Sequence, residues 1–359
     1  MKITVVGGGN IATQFAVHCA NKSNDVTILT SKPECFSKNL SIISKDGSLF
    51  LSGEIKNATD NPSEAINNAE LIFICVPSFC MESYAEKITP FLKKGAIIML
   101  VPGTGGGECA FKKALDGGCT IAGIQRVPSV ARLKEYGKCV CATGYRDELF
   151  VSAIPHKNTD ECCEIIQNIF DIKCSPLPNY LSLTLTPSNP ILHTTRLYNI
   201  FGDYHDGKSY DSLPLFYEDW DNKSSELLFR CDEEVQNICN KIPCFDLSYV
   251  KSLKIHYESP TIDAMTKKIS SIDGFKGLKT PSIHTEGGYV PDLNSRYFVA
   301  DFSYGLAIIK QIADLCGVET ENINTVLDWY KKIRIDKKMF NYHDYGIDSY
   351  EKFIDFYSM

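Results

Sequence analysis

The first dozen residues constrain the fold more than any other stretch. Ile3-Thr4-Val5-Val6 is a short β-branched run, closed by Gly7-Gly8-Gly9-Asn10-Ile11-Ala12. An apolar run bounded by glycine in this way reads as a fully buried strand of a parallel sheet. Gly7, Gly9 and Ala12 give a G-x-G-x-x-A spacing in which each position has a physical task. Gly7 allows the tight turn out of the strand, and Gly9 lets the backbone approach a pyrophosphate. Ala12 is small enough for the next helix to lie close on the strand. That helix, through Phe15, Ala16, Cys19 and Ala20, aims its first amides at phosphate oxygens. Gly7, Gly9, Asn10, Ile11 and Ala12 are therefore the expected phosphate-binding segment of a dinucleotide site.

The end of the second strand, residues 25–30, selects the cofactor. An NAD site usually carries an acid there for the ribose 2′-hydroxyl, whereas an NADP site supplies a cation for the 2′-phosphate. Here the residues are Thr30, Ser31 and Lys32, which favour NADP over NAD, while Glu34 keeps NAD open. Residues 40–60 alternate weakly and predict short antiparallel strands. A strand over 69–77, a helix over 80–92 and a strand over 95–101 continue the alternation of a parallel doubly wound sheet. Ligands lie beyond the carboxyl ends of such strands, which adds Val76, Pro77 and the loop at Gly103 to the expected cofactor neighbours.

Strand-like runs at 120–127 and 138–145 and a helix over 162–170 precede Cys174-Ser175-Pro176-Leu177-Pro178, whose proline pair marks the expected domain boundary. Beyond it, periodic apolar segments at 191–201, 213–229, 232–242, 304–315 and 322–335 predict helices. The expected architecture is α/β. A Rossmann-type doubly wound domain spans residues 1–180, and a mostly α-helical substrate-binding domain spans 181–359.

The 359-residue chain has a formal net charge of -7, which argues against nucleic acid as a partner. Its longest apolar runs, 71–77 and 96–101, are far short of the roughly 20 residues a membrane helix needs. The glycine loop breaks the apolar core that a signal peptide requires, so a cytoplasmic location is expected. The fifteen cysteines are scattered, without a C-x-x-C or a zinc-like Cys/His spacing. They read as reduced buried thiols with no metal site.

Two stretches of the second half narrow the function. One is Thr186-Pro187-Ser188-Asn189-Pro190-Ile191-Leu192-His193, with Pro190 near a helix start and His193 in its first turn. The other runs from Asn294 to Leu306 and contains Arg296-Tyr297, Asp301 and Tyr304-Gly305-Leu306. Together, the N-P-x-x-H and R-Y-x-x-x-D-x-x-Y-G-L patterns resemble the octopine/nopaline dehydrogenase (opine dehydrogenase) family. With the glycine loop and the Pro102-Gly103 loop, the resemblance covers nearly the whole chain. Ala300 departs from it, since relatives often have an acid before the aspartate.

The resemblance implies reductive condensation: an amino acid and a small 2-oxo acid form an imine, which nicotinamide hydride reduces to a secondary amine. It implies His193 as proton-exchanging group, Asp301 as the acid that fixes its tautomer, and Arg296 as a bidentate fork for a carboxylate. His193 and Asp301 should then hydrogen-bond in the fold. Asn189 is expected to cap its helix. Arg132, read in a loop, is a further candidate contact for cofactor or substrate. The aromatic set Tyr198, Phe201, Tyr204, Phe216, Tyr217 and Trp220 reads as core first and cleft lining second. A homodimer is expected by analogy with related dehydrogenases. The alternatives are a ketopantoate reductase or glycerol-3-phosphate dehydrogenase type of enzyme, whose catalytic lysine has no counterpart in the N-P-x-x-H segment, and a non-catalytic NADP(H) sensor.

Overall fold

The structure is a computed structural model that describes residues 1–334 and 338–359. It divides into two compact units, Met1–Thr184 with Ile354–Met359, and Leu185–Phe353. The chain end therefore belongs to the first unit, not to the helical half in which the sequence placed it.

The strands of the first unit are β1 (Lys2–Val6), β2 (Asp25–Leu29), β3 (Asn39–Ile43), β4 (Leu49–Glu54), β5 (Asn57–Thr59), β6 (Leu71–Ile74), β7 (Ile97–Leu100), β8 (Thr120–Ile124), β9 (Val130–Glu135), β10 (Cys139–Thr143), β11 (Glu148–Ile154) and β12 (Lys173–Pro176). An eight-stranded sheet has the order β12-β11-β8-β7-β6-β1-β2-β5. The strands from β8 to β5 are mutually parallel, β11 runs antiparallel to β8, and β12 is parallel to β11. The central strands are apolar at every position because both faces are covered, and Leu71, Ile72, Phe73 and Ile74 are all fully buried. Phe15 anchors the first helix (Asn10–Asn21) edge-on to Phe73 of β6 and to Phe170 of the helix Thr159–Phe170. β1 sits between β6 and β2, so the chain leaves it first to one side and later to the other. This is the topological switch point at which such sheets bind ligands.

A second sheet, β4-β3-β10-β9, contains the short antiparallel strands expected around residues 40–60. Its β9 corrects the loop reading of Arg132. Val130, Arg132 and Lys134 point to solvent while Ala131 and Leu133 point inward, a period-two pattern that pairs with β10. The expected boundary at 174–178 is also corrected. Pro176 lies in β12, an edge strand where a missing backbone N–H costs no ladder bond. The chain end is tied back by buried Glu108, whose Oε1 accepts from the Tyr357 hydroxyl (2.8 Å) and from Thr184 Oγ1 (2.7 Å). Burial pushes the Glu108 carboxyl above its ordinary range.

In the second unit, the helices expected at 213–229 and 232–242 are one helix, Asn222–Asn240. Asp221 caps it by accepting from Ser224 N–H, and residues before it are irregular because they wrap the side chain of Arg196. A π-helical turn, Phe302–Leu306, opens the helix Ala307–Cys316 expected at 304–315. The helix expected at 322–335 is Glu321–Ile333, and Ile335 lies outside the described residues. A short hairpin, Ser282–Thr285 with Gly288–Pro291, was not expected. Gly305 in the π turn lies against Pro190 at the start of the helix Asn189–Phe201; a Cβ there would stand 2.8 Å from the proline ring. The Tyr-Gly-Leu and Asn-Pro motifs are thus two sides of one close contact.

Two stability measurements follow from these contacts. Gly305→Ala forces the added methyl into Pro190, and the variant should unfold in urea at lower concentration, with a loss of about 1–3 kcal/mol. Asp232 is buried with one carboxylate oxygen accepting from Leu253 N–H and the other unpaired among the described residues, and burial pushes its carboxyl up to about 7. A raised folded-state value means that its contribution to stability is complete below the unfolded value and is lost as pH rises to about 7. Asp232→Asn keeps the bond to Leu253, so urea titrations should show the variant gaining on the parent between pH 4 and 8, by on the order of 3 kcal/mol.

Candidate active site

The glycine loop of the first unit has the geometry that a nucleotide site needs. Gly7 has φ +117°, in the region that favours glycine, and a Cβ would stand 2.8 Å from the Cys75 carbonyl oxygen. Val76 lies beside it, with Cγ1 3.4 Å from that Cβ position. At Gly9, by contrast, a Cβ would meet nothing within 4 Å, so the loop opens there to space rather than to protein. No side chain caps the helix that follows, which leaves its first-turn amides for an anion. These features fit a dinucleotide pyrophosphate. Ala12 is buried against the sheet as its size requires, and Ile11 is half-buried beside it. Pro77 is exposed at the end of the β6 segment.

Other expected cofactor residues turn out to have work inside the protein. The Asn10 side chain accepts from Leu133 N–H at 2.7 Å and so joins the helix start to β9. Gly103 is buried: its N–H donates to the Ile124 carbonyl, and its carbonyl accepts from the Tyr180 hydroxyl. A Cβ on it would stand 2.7 Å from the Gly123 Cα, so its glycine is accounted for by strand packing. Thr30 is buried, and its Oγ1 is 2.8 Å from where a Gly8 Cβ would be. Ser31 and Lys32 are exposed, and the Lys32 ammonium lies 5.9 Å from the centre of the Tyr136 ring. Tyr136, at the β9–β10 turn, was not singled out from the sequence. Its hydroxyl stands 2.5 Å from a Gly8 Cβ position, so this turn lies over the glycine loop. Arg132 is exposed and, among the described residues, donates only to the Ala131 carbonyl.

In the second unit the two distant motifs meet. His193 Nδ1 and Asp301 Oδ2 are 2.6 Å apart, with the histidine 3% exposed. A carboxylate at Nδ1 accepts its proton and fixes the tautomer whose Nε2 faces away from Asp301. Nε2 is itself 2.6 Å from the Tyr217 hydroxyl. Tyr297 covers one face of the imidazole, with ring centroids 4.5 Å apart, and Phe216 meets it edge-on at 5.8 Å. Burial, with neighbouring Tyr297, Tyr257 and Asp301, holds the Tyr217 phenol well above its ordinary value, so it is present as a neutral hydroxyl. Arg296 is exposed one turn before Asp301 and makes no hydrogen bond or ion pair among the described residues; its guanidinium carbon is 5.9 Å from the Tyr297 ring centre. Asn189 does not cap its helix. Ser188 holds the cap position, and the Asn189 side chain is exposed in the first turn.

Arg196 explains how Tyr217 reaches His193. It lies one turn beyond His193 on the same helix and is fully buried. Its guanidinium donates to the carbonyls of Phe216 (2.9 Å), Leu215 (3.3 Å) and Asp219 (2.6 Å) and to Ser224 Oγ (3.0 Å). The loop that carries Tyr217 is thus pinned to the helix that carries His193. An Arg at i+3 from a candidate His is the one sequence signal that could have pointed there, since it shares the face of the helix. Phe201, Phe216, Tyr217 and Trp220 of the aromatic set are buried, whereas Tyr198 and Tyr204 are half-buried. Among the described residues there is no cluster of metal-ligating side chains and no helix long and apolar enough to cross a membrane.

Known families match parts of both units. The α-helical domain of the NAD/NADP octopine/nopaline dehydrogenases matches residues 176–334, and the N-terminal domain of the NAD-dependent glycerol-3-phosphate dehydrogenases matches residues 2–106. Tauropine dehydrogenase of Arabella iricolor is 29% identical across 92% of this chain and 91% of its own. Octopine dehydrogenase of Pecten maximus is 26% identical across 92% and 89%. A structure of octopine dehydrogenase with NADH and L-arginine has a TM-score of 0.85 at 23% identity, covering 98% of this chain and 97% of that one. A ketopantoate reductase from Ralstonia eutropha shares the fold less closely, with a TM-score of 0.60 at 14% identity across 93% and 98%. The chain is thus similar to the octopine/nopaline dehydrogenases, through their helical domain over residues 176–334 and through tauropine and octopine dehydrogenases along about nine-tenths of its length.

Proposed function

We propose that this protein is an NAD(P)H-dependent opine dehydrogenase that joins the amino group of an amino acid to a pyruvate-like 2-oxo acid through an imine. The observation that carries this reading is the His193–Asp301 pair, assembled from the two motifs of the family's helical domain. Relatives named for tauropine and octopine, and structures of octopine dehydrogenase with L-arginine and with pyruvate, support the substrate class. The nicotinamide supplies the hydride. One proton is consumed per turnover, because the carbonyl oxygen of the 2-oxo acid leaves as water. His193 holds that proton; Asp301 fixes the Nδ1–H tautomer and balances the imidazolium charge. Arg296, exposed and unpaired among the described residues, offers a planar fork to a substrate carboxylate.

The same reading takes the glycine loop as the pyrophosphate site and prefers NADP to NAD. Its support is Lys32, exposed at the end of β2 beside Tyr136, with Thr30 and Ser31 where an NAD site would place an acid. It further takes the protein to work in the cytoplasm on small molecules and to pair as a homodimer, the latter on the analogy of dehydrogenases with this plan.

Oxidation of NADPH and NADH at 340 nm, with pyruvate and each amino acid in turn, should require both carbon substrates; oxidation with a 2-oxo acid alone would replace this reading with that of a plain 2-oxo acid reductase. His193→Ala and Asp301→Asn should each lose about 10²–10⁴-fold in kcat while NAD(P)H binding, followed by fluorescence, is unchanged. Lys32→Ala should raise KM for NADPH by about tenfold or more, the loss of one charge-assisted phosphate contact, and leave KM for NADH nearly as it was. An equal effect on both cofactors would remove Lys32 from the 2′-phosphate.

A further inference from the structure

Just beyond the end of β2 lie a cation and a phenol without polar partners among the described residues. The Lys32 ammonium is exposed, has no carboxylate within ion-pair distance among those residues, and stands 5.9 Å from the centre of the Tyr136 ring. Tyr136 is 38% exposed, and its hydroxyl makes no hydrogen bond among the described residues. Its ring meets Phe36 edge-on at 5.5 Å.

The turn that carries Tyr136 is fixed by backbone contacts, not by that side chain. Residues 136–138 join β9 to β10, with Gly137 at φ +71°, in the left-handed region that a three-residue hairpin loop uses. The Gly137 carbonyl accepts from Ser37 N–H at 2.9 Å, and a Cβ on Gly137 would run into the Cys35 carbonyl. The turn is thereby backed onto residues 35–37, a few positions after β2. From the other side, Leu133 N–H donates to the Asn10 side chain at 2.7 Å and ties β9 to the start of the first helix.

Two neighbouring glycines show what the phenol faces. A Cβ on Gly8 would stand 2.5 Å from the Tyr136 oxygen and 2.8 Å from Thr30 Oγ1. Gly8 has no left-handed φ, so these two hydroxyls account for the missing side chain. A Cβ on Gly9 would meet nothing within 4 Å, Tyr136 included. The phenol therefore lies on the β2 side of the loop, where a dinucleotide places its adenosine ribose, and clear of the helix start that takes the pyrophosphate.

We propose that Tyr136 is a second residue for the ribose 2′-phosphate of NADP(H): its hydroxyl donates to a phosphate oxygen while the Lys32 ammonium pairs with the same group. The inference rests on the NADP preference proposed above and names a further residue for it. A phosphate presents three acceptor oxygens and can take both donors at once, whereas the 2′-hydroxyl of NADH is a single uncharged partner. A hydrogen bond to a charged acceptor is roughly twice as strong as a neutral one, so the phenol favours NADPH. The turn is in place before the cofactor arrives, which limits the ordering cost of binding.

The experiment titrates NADPH and NADH into the parent and into Tyr136→Phe by fluorescence, with no carbon substrate present. Calorimetric titration with 2′,5′-ADP and 5′-ADP, which differ only in the 2′-phosphate, removes the nicotinamide half from the comparison. Phenylalanine keeps the ring beside Phe36 and Lys32, so the variant lacks the hydroxyl alone. The parent should bind NADPH and 2′,5′-ADP about tenfold or more tighter than NADH and 5′-ADP. Without that preference the NADP reading falls, and this inference with it. Given the preference, Tyr136→Phe should weaken NADPH and 2′,5′-ADP by about tenfold or more and leave NADH and 5′-ADP within about twofold. NADPH affinity of the variant within about threefold of the parent would overturn the role of Tyr136 while the NADP reading stands. Equal weakening of both cofactors would overturn it as well, because the hydroxyl would then serve a part of the nucleotide that the two share.

Discussion

The short bond between His193 and Asp301 is the interaction on which the second unit depends, and it exists only because two helices approach closely at one point. His193 lies in the first turn of its helix, immediately after Pro190, and Asp301 immediately precedes the π turn that contains Gly305. The Pro190 ring fills the space that a side chain at 305 would need. Proline is favoured in the first helical turn, where its missing N–H would be unpaired anyway. Glycine is tolerated in the π turn, where an extra residue already loosens the hydrogen-bond ladder. Each element thus carries the residue its own backbone can accept, and the pair of them sets the distance at which an imidazole meets a carboxylate.

The first unit solves a different problem with similar means. Its central strands are uniformly apolar and could pack in many ways, so the glycine positions fix the details. Gly7 makes room for the Cys75 carbonyl, and Gly103 and Gly123 let two strand ends approach almost Cα to Cα. Gly9 alone in the phosphate loop faces open space. A glycine is thus forced by protein packing at some of these positions and not at Gly9, and only the surroundings tell them apart. For that reason Gly103 could be selected from the sequence as a cofactor neighbour although its immediate task is to join β7 to β8.

What could be read in the chain, and what could not, follows this division. The parallel sheet, the glycine loop and the His193–Asp301 pair were legible because each is carried by a local pattern or by spacing within a motif. The long helix Asn222–Asn240 was misread as two because apolar residues at 213–220 mimic helical periodicity while they wrap Arg196. β12 was read as a domain boundary because its proline masks an edge strand. The bond from Tyr217 to His193 was hidden for another reason. Aromatic residues in an apolar stretch give the same signal whether they only fill a core or also hold a polar partner, and only the positions of their hydroxyls separate the two.

Those hydroxyls also explain why the histidine can be buried. A charged imidazole removed from water is costly unless its partners are fixed before it charges. Asp301 supplies the counter-charge at one nitrogen, and a neutral hydroxyl that can either donate or accept occupies the other. Neither partner has to move when the proton arrives, so the reorganisation that water would require is absent. Arg196 and the stacked rings of Phe275 and Trp220 hold the hydroxyl in place at no expense to its freedom to rotate its proton. In a site of low polarity such bonds are stronger than in water, which makes rigid positioning of the oxygen as important as its chemistry. A serine or a water molecule offers the same donor and acceptor, but neither presents a ring that can be held by stacking.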